Sequence, residues 1–561
     1  MRMTRGSSQA LNPSTGTADG ANVPRAAPDT YRWALLLLLA AVALWYVLTL
    51  RPGHSWNDDF ALYVLHARNI VEARAYGDTG YIYNPAVPYH SPQTYPPGFP
   101  LLLAPIYALF GANLFALRMV VVASLVGVVG AFAVLVRPAL PRHLVLIGAA
   151  LVGFQPFFVR FKNLLVPDFT FLLFLLLTLH LIRGLDEAHP DAKRLTARAL
   201  LAGAFVYCAV SLRVAGIALF GAVVLYQLMR WRRPSRAMVV CVATALVLSA
   251  AQFLILPSGS GYTRQLADAG GSELAPERQE DGPRVDPENS GSVDTGPSAE
   301  DLRPVMNALE RQLAKVRTFA IATNVLWVPS GELYAPQLSG GGRVLVGLLI
   351  LVSLALAFTG FAVKLRSASI VEAFVLAYAG MIFVWGFINP RYLIPLIPLL
   401  FYYAIVGVHR LTQRSGRPWS AFAPVLGGIL ATLYVVNLAR VDRSPYPTGV
   451  TSADARDIFR YVGRCTPSDA RFISHRPRTI ALYGDRAATS VSVRLLEDQP
   501  RYQRVIRDLR VDYVLATRNS LLDEVSARSP DFTRTYQNER YAIYRRAGSA
   551  VPAALPADCS G

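Results

Sequence analysis

The sequence predicts an all-α polytopic membrane bundle followed by a small C-terminal α/β module. Three observations carry that prediction. Hydrophobic residues fill 53% of the 561 positions and charged residues only 16%, well under the roughly 25% of soluble domains. Polar residues are gathered into blocks, which leaves apolar runs close to the ~20 residues that a helix needs to cross a hydrocarbon core. The short segments between many of those runs are basic, as expected of cytoplasmic loops. The formal charge of +18 is therefore read as topology, not as a surface for nucleic acid, because many of the arginines sit in those loops.

Each element follows in order. Residues 1–30, rich in Ser, Thr, Gly, Pro and Ala, read as a disordered cytoplasmic tail. The first apolar run, about 33–50, is long for a signal-peptide core and lacks a small-residue cleavage site, so it reads as a retained anchor. Further spans are expected at about 114–136, 143–159, 165–183, 198–212, 215–230, 237–256, 344–363, 369–388, 392–409 and 420–438, eleven in all. The loops at 137–142, 183–198, 230–236, 364–366 and 410–417 are basic, which places the N-terminus inside and the C-terminus outside.

The membrane domain then covers 31–439, with 51–112 as a first outer loop that would carry the chemistry. A second outer loop, 257–342, is rich in Glu, Asp, Pro, Gly and Ser to about 300 and is expected to be mobile, with a surface helix at 301–318. The third outer region, 440–561, alternates a helix at 452–463, a strand at 471–474, a helix at 499–509, a strand at 511–516 and a strand at 541–544. That alternation predicts the α/β module. There is no Gly-rich phosphate loop. Cys465 and Cys559 have no metal-like His or Cys spacing around them. If this region faces an oxidising compartment, a disulfide between them and two free thiols are both open.

Four short stretches place polar chemistry among greasy surroundings. In HSWNDDFALYVLHARNI, Asp58 and Asp59 follow the first span and head an amphipathic helix to about Tyr76. The plain reading is an N-cap, with Leu62, Leu65 and Ile70 on the lipid surface. A cap needs one carboxylate, however, and two adjacent ones repel. The proline-rich stretch Tyr83 to Gly98 stiffens a loop that can hold His90, Gln93 or Tyr95 near a substrate. An apolar segment too short to span follows it and should lie in the interface. Arg160, Lys162 and Asp168 sit at an outer turn, where snorkelling bases and a second cap are the plain alternative. Arg391 heads RYLIPLIPLL, and Arg213 lies between two spans on the outer side. Arg118, near the outer end of its own span, reads as structural.

Together these are outer carboxylates (Asp58, Asp59, Asp168) among outer cations (Arg160, Lys162, Arg213, Arg391). Transfer from a lipid-linked phosphate to a hydroxyl needs both kinds. A carboxylate takes the hydroxyl proton, worth about 10²–10⁴-fold when well placed. Cations stabilise charge on the departing phosphate, and Arg can do so through two parallel hydrogen bonds.

The order WNDDFALY, YPPGFPLLLAPIYALFGANLFALR, LLVPDFTFLLFLLL and RYLIPLIPLL resembles the GT-C superfamily of polyprenyl-phosphate-dependent glycosyltransferases. The resemblance is to the branch that holds the protein O-mannosyltransferases and the lipid A aminoarabinose transferase. It covers about 30–440, and the segment with VDYVLATRN and RYAIYRR resembles the outer appendage of many bacterial members.

The resemblance implies an inverting enzyme of the bacterial cytoplasmic membrane. It would move a sugar from a polyprenyl-phosphate donor to a lipid, polysaccharide or protein hydroxyl on the extracytoplasmic face. By it, Asp58 is the general base, Asp59 stands where many members have Glu, Asp168 orients the acceptor or base, and Arg391 meets the donor phosphate. Members often carry Lys before the Pro-Pro pair where this chain has Tyr95, a place that Lys162, Arg160 or His90 would have to fill. Adjacent carboxylates suit Mg²⁺ or Mn²⁺, but no His-rich cluster accompanies them, so no metal and no other cofactor is expected. A lipid-sugar flippase or a silent scaffold remain the alternatives. Against the flippase, the charges gather at outer span ends and the two halves show no repeat.

Overall fold

The computed structural model describes residues 30–56, 58–88, 92–185, 192–230, 234–255, 340–384, 390–415, 427–428, 430–432, 434–436, 438–549 and 559. The expected loop helix at 301–318, most of the 420–438 span and His90 lie outside these residues.

Apolar runs, with proline confined to the first turn where it occurs, form the helices of the bundle. They are α1 (Thr30–Leu48), α4 (Leu114–Val136), α5 (Arg142–Gly153), α6 (Pro156–Phe161), α7 (Asp168–Arg183), α8 (Ala192–Leu212), α9 (Ala218–Arg230), α10 (Arg236–Ile255), α11 (Gly340–Leu365), α12 (Ile370–Val384) and α13 (Ile397–Ser415). Two helices of the first outer loop, α2 (Asp59–Val71) and α3 (Gly98–Phe110), precede α4. Asn113 starts α4 sharply: its side chain accepts the backbone N–H groups of Phe115 and Ala116 at 3.0 and 3.2 Å. Helix α4 packs on α7, α7 on α8, α8 on α10, α9 on α12 and α11 on α13.

Among the described residues, four helices, α1, α4, α8 and α10, are long and apolar enough to cross a bilayer unaided, and several shorter apolar helices accompany them. Large apolar side chains stay exposed along these helices, among them Leu37, Leu109, Val247 and Leu254. That is the surface of a multi-pass membrane protein whose outer layer is solvated by lipid.

The first outer loop departs from expectation. Helix α2 stops at Val71, and Leu62 and Leu65 are fully buried. They pack against protein and not against lipid, since α2 lies against α3 and against the sequence after 440. That sequence forms α14 (Ala453–Cys465), β2 (Arg471–Ser474), α15 (Pro477–Tyr483), β3 (Ala487–Ser490), α16 (Val493–Glu497), α17 (Gln499–Asp508), β4 (Tyr513–Thr517), α18 (Leu521–Arg528), β5 (Phe532–Gln537) and β6 (Tyr541–Arg546). The strands build one sheet in the order β1-β3-β2-β4-β6-β5, parallel across β1, β3, β2 and β4 and antiparallel across β4, β6 and β5. The edge strand β1 (Tyr81–Ile82) comes from the first outer loop.

The seam between the two regions is hydrogen-bonded throughout. Asn84 donates to the Ser490 carbonyl at 2.8 Å and Thr489 to the Ile82 carbonyl at 2.9 Å. The Val450 N–H donates to the His54 carbonyl at 3.0 Å. Trp56 lies between the rings of Phe459 and Tyr541, with centroids 5.3 and 5.2 Å away. Gly80 turns the chain into β1 with a φ of +73°, a region open to glycine at little cost. The loop that carries Asp58 and Asp59 is thus folded into the sheet region, and the boundary drawn at 440 is crossed by a strand.

Candidate active site

The site is built from five pieces of chain that meet at one end of the bundle. Helix α2 supplies Asp59 at its first residue, with Asp58 just before it. Helix α7 supplies Asp168 at its first residue, after Pro167. The turn after α8 supplies Arg213, and a single 3₁₀ turn, Pro390–Leu393, supplies Arg391. The proline-rich loop brings in Tyr95.

Arg391 is the hub. Its Nε donates to both oxygens of Asp168 at 2.9 Å, its Nη2 to Asp168 Oδ2 at 2.6 Å, and its Nη1 to Asp59 Oδ2 at 3.0 Å. Arg213 also donates to Asp168 Oδ1. The Asp168 side chain, 1% exposed, is therefore held by two guanidiniums. Asp59 is the more open acid, at 26% exposure. Tyr95 donates its hydroxyl to Asp59 Oδ1 at 2.7 Å. Burial pushes the Asp59 carboxyl up, but Arg391 and Arg478 outweigh it and hold Asp59 below the ordinary carboxylate range.

Asp58 behaves differently. It makes no cap bond to its own helix. Its Oδ1 accepts the backbone N–H groups of Arg478 and Thr479 at 3.0 and 3.1 Å, so it caps α15 from the other side of the seam. The side chain is 5% exposed. Burial, against the opposing pull of Arg478 and Arg476, raises its carboxyl to about 6.

The remaining candidates separate. Tyr95 is buried, stacks on Tyr63 with centroids 4.5 Å apart, and is fixed through its backbone N–H, which donates to His66 Nε2 at 3.2 Å. Gln93 is exposed. The backbone of Arg160 lies in α6. Lys162 corrects the expectation of a phosphate contact. It is fully enclosed and donates to the Thr49 carbonyl at 2.7 Å and to Asn163 Oδ1 at 3.3 Å, in a second polar cluster with Arg51 and Arg118. Burial, with Arg118 and Arg51 nearby, pushes Lys162 down to about 7. Arg118 donates to the Leu114 and Arg51 carbonyls, the structural role expected of it. Cys465 and Cys559 are joined in a disulfide.

Sequence reasoning missed Arg478. It follows Pro477 at the start of α15, and nothing in a short basic stretch of a soluble-looking region marks it out. Its Nη1 donates to Asp59 Oδ1 at 3.3 Å and its Nε lies 3.7 Å from Asp58 Oδ2. Among the described residues, three carboxylates (Asp58, Asp59, Asp168) face three guanidiniums (Arg213, Arg391, Arg478). No group of three or more His, Cys, Asp or Glu placed to hold a metal ion occurs among the described residues.

No protein-family profile matches the chain, and no curated protein matches it. Solved structures do. The archaeal oligosaccharyltransferase AglB from Archaeoglobus fulgidus, in complex with an inhibitory peptide and a dolichol-phosphate, superposes with a TM-score of 0.56 at 14% identity. That match covers 94% of this chain and 76% of AglB. ArnT from Cupriavidus metallidurans in the apo state superposes with a TM-score of 0.56 at 15% identity, over 92% of this chain and 98% of ArnT. The same protein bound to undecaprenyl phosphate gives 0.53 at 15% identity, over 93% and 99%. The chain thus shares the fold of AglB and ArnT.

Proposed function

We propose that the protein is an integral-membrane glycosyltransferase that moves a sugar from a polyprenyl-phosphate donor to an acceptor hydroxyl on the extracytoplasmic face. The observation that carries this reading is the convergence of Asp59, Asp168, Arg213 and Arg391 at one end of the bundle. The fold supports it too: solved neighbours of the same architecture hold dolichol-phosphate or undecaprenyl phosphate.

In the proposed reaction the acceptor oxygen attacks the anomeric carbon as the bond from that carbon to the phosphate oxygen breaks. The electron pair leaves with the lipid phosphate, and a single displacement inverts the centre. The hydroxyl proton passes to Asp59, the carboxylate with the most open face. A weak base suffices, because an alcohol oxygen becomes strongly acidic as it bonds to an electron-poor carbon. Asp168 fixes Arg391, and Arg391 with Arg213 supplies positive potential at the membrane end of the site, where charge grows on the leaving phosphate.

A second assignment of the base has its own support. Asp58, raised to about 6, is the stronger base of the pair. Its two backbone hydrogen bonds and its enclosure argue for Asp59 instead.

The same reading places eleven spans in a bacterial cytoplasmic membrane with the N-terminus inside and residues 440–561 outside. The basic residues Arg137 and Arg142 meet Tyr31 at the opposite end of α1 from the acid cluster, as this orientation requires. A disulfide in the sheet region suits an oxidising compartment. Turnover is proposed to be metal-independent, since the Arg391 guanidinium fills the space between Asp59 and Asp168 that a bridging cation would need. Loss of activity in EDTA that Mg²⁺ or Mn²⁺ restores would overturn that point.

The proposal is tested by mass spectrometry of glycolipids, glycans and glycoproteins from a deletion strain against its parent. One sugar should vanish from one class of carrier while its lipid-phosphate donor accumulates. An unchanged glycan inventory contradicts the reading. Defective flux of the lipid-linked sugar across vesicles, with transfer intact, would indicate the flippase.

A further inference from the structure

We propose that Arg478 is the positioning residue for Asp59, so that the sheet-bearing region after 440 completes the reaction site. This rests on the reading of Asp59 as the proton acceptor. The two ends of the Arg478 contact lie 419 residues apart in sequence, and the side chain is 1% exposed.

The backbone of Arg478 is set first. Strand β2 ends at Ser474, α15 begins at Pro477, and the N–H groups of Arg478 and Thr479 are both anchored on Asp58 Oδ1. The guanidinium then runs over the Tyr81 ring, 4.5 Å from its centroid, and past the Tyr95 ring at 5.5 Å. Two rings from the first outer loop thus flank a planar cation that a lysine would not match. The group ends on Asp59 Oδ1, the same oxygen that takes the Tyr95 hydroxyl, while Arg391 holds Oδ2.

Arg391 cannot orient Asp59 alone. Among the described residues, three of its hydrogen bonds go to Asp168 and one to Asp59. Arg478 and Tyr95 therefore set the rotation of the Asp59 carboxylate about its own axis. Among the described residues, the charged and titratable groups that face Asp59 include Arg391 from the 3₁₀ turn, Arg478 from α15, Tyr95 from the proline-rich loop and Asp58 from its own segment.

The test compares Arg478→Met and Arg478→Lys with wild type in two ways. The first needs no turnover: melting temperatures of purified protein in detergent for Arg478→Met, Asp59→Asn and the double variant. The proposal predicts a double variant markedly less destabilised than the sum of the two single changes, since the second change removes a contact already lost. Strict additivity would overturn it. The second follows transfer from the endogenous donor pool in membranes of the complemented deletion strain.

An adjacent guanidinium holds a carboxylate down by about 1–3 pH units. Arg478→Met should therefore move the acid limb of transfer up by about 1–3 pH units and lower the ratio of transfer at pH ~5 to transfer at pH ~8 below that of wild type. Arg478→Lys keeps the charge, so it should leave that ratio near wild type while lowering transfer at both pH values. A uniform loss in Arg478→Met with the ratio unchanged would make Arg478 a structural residue only. Where Arg478→Met fails to fold, the lysine variant decides: transfer equal to wild type at both pH values contradicts a role for the guanidinium fork. If coupling is present but Asp59→Asn retains turnover, the assignment of Asp59 fails while the contact stands.

Discussion

Asp58 and Asp59 are neighbours in sequence and opposites in chemistry. One is enclosed and raised to about 6, and the other is partly open and depressed by two guanidiniums. That difference makes the pH dependence diagnostic. If Asp59 takes the proton, transfer should stay flat as the pH falls from 8 to about 5, because a depressed carboxylate remains ionised there. An acid limb near pH 6 in wild-type membranes would assign the proton to Asp58. Asp168 is expected to matter for folding as well as for turnover. Asp168→Ala takes the buried carboxylate from Arg213 and leaves Arg391 with Asp59, a loss of about 3–5 kcal/mol. Chemical or thermal unfolding in detergent measures it, and a loss below ~1 kcal/mol would show that the cluster relaxes into water.

At the scale of elements, close approach does the positioning. Gly98, the first residue of α3, lies so near the end of α8 that an added Cβ would come within 2.7 Å of the Ser211 carbonyl carbon and oxygen. Both partners are backbone and cannot swing away, so Gly98→Ala should cost about 1–3 kcal/mol. It should also lower transfer, because Ser211 is two residues from Arg213. Unchanged stability would mean that α3 slides. The individual helices and strands were largely legible. The helix at Ala453–Cys465, the strand Arg471–Ser474 and the helix at Gln499–Asp508 fall within a few residues of their expected bounds, since their apolar periodicity is strong. Strands β1, β3 and β5 were not: β1 and β3 are two and four residues long and take strand character from pairing, β1 with β3 and β3 also with β2, and β5 from pairing with β6. What covers the buried face of α2 was not legible for a related reason: a greasy helix face beside a membrane does not say which apolar partner covers it.

At the scale of the whole molecule, the site spans the seam between the bundle and the sheet. The acids and the hub arginine were readable from the order of motifs along the chain. The capping of α15 by Asp58 and the reach of Arg478 were not, because both depend on a fold-back across some four hundred residues. A chain truncated near Arg440 should therefore lose transfer even if its spans insert, since Asp58 and Asp59 lose their partners and β1 loses β3. Full activity of that truncation would return the region to the status of an appendage. The disulfide joins Cys465 to Cys559, while Cys208 and Cys241 are free thiols. Alkylation of unreduced protein should thus label two of the four cysteines, and labelling of all four would contradict both the pairing and the oxidising side. The most direct test of the central claim is glycan mass spectrometry of the deletion strain complemented with wild type, Asp59→Asn or Asp58→Asn at matched levels of folded protein. The account predicts that wild type restores the missing sugar, Asp59→Asn leaves it at least about a hundredfold down, and Asp58→Asn restores much of it; full restoration by Asp59→Asn would contradict it.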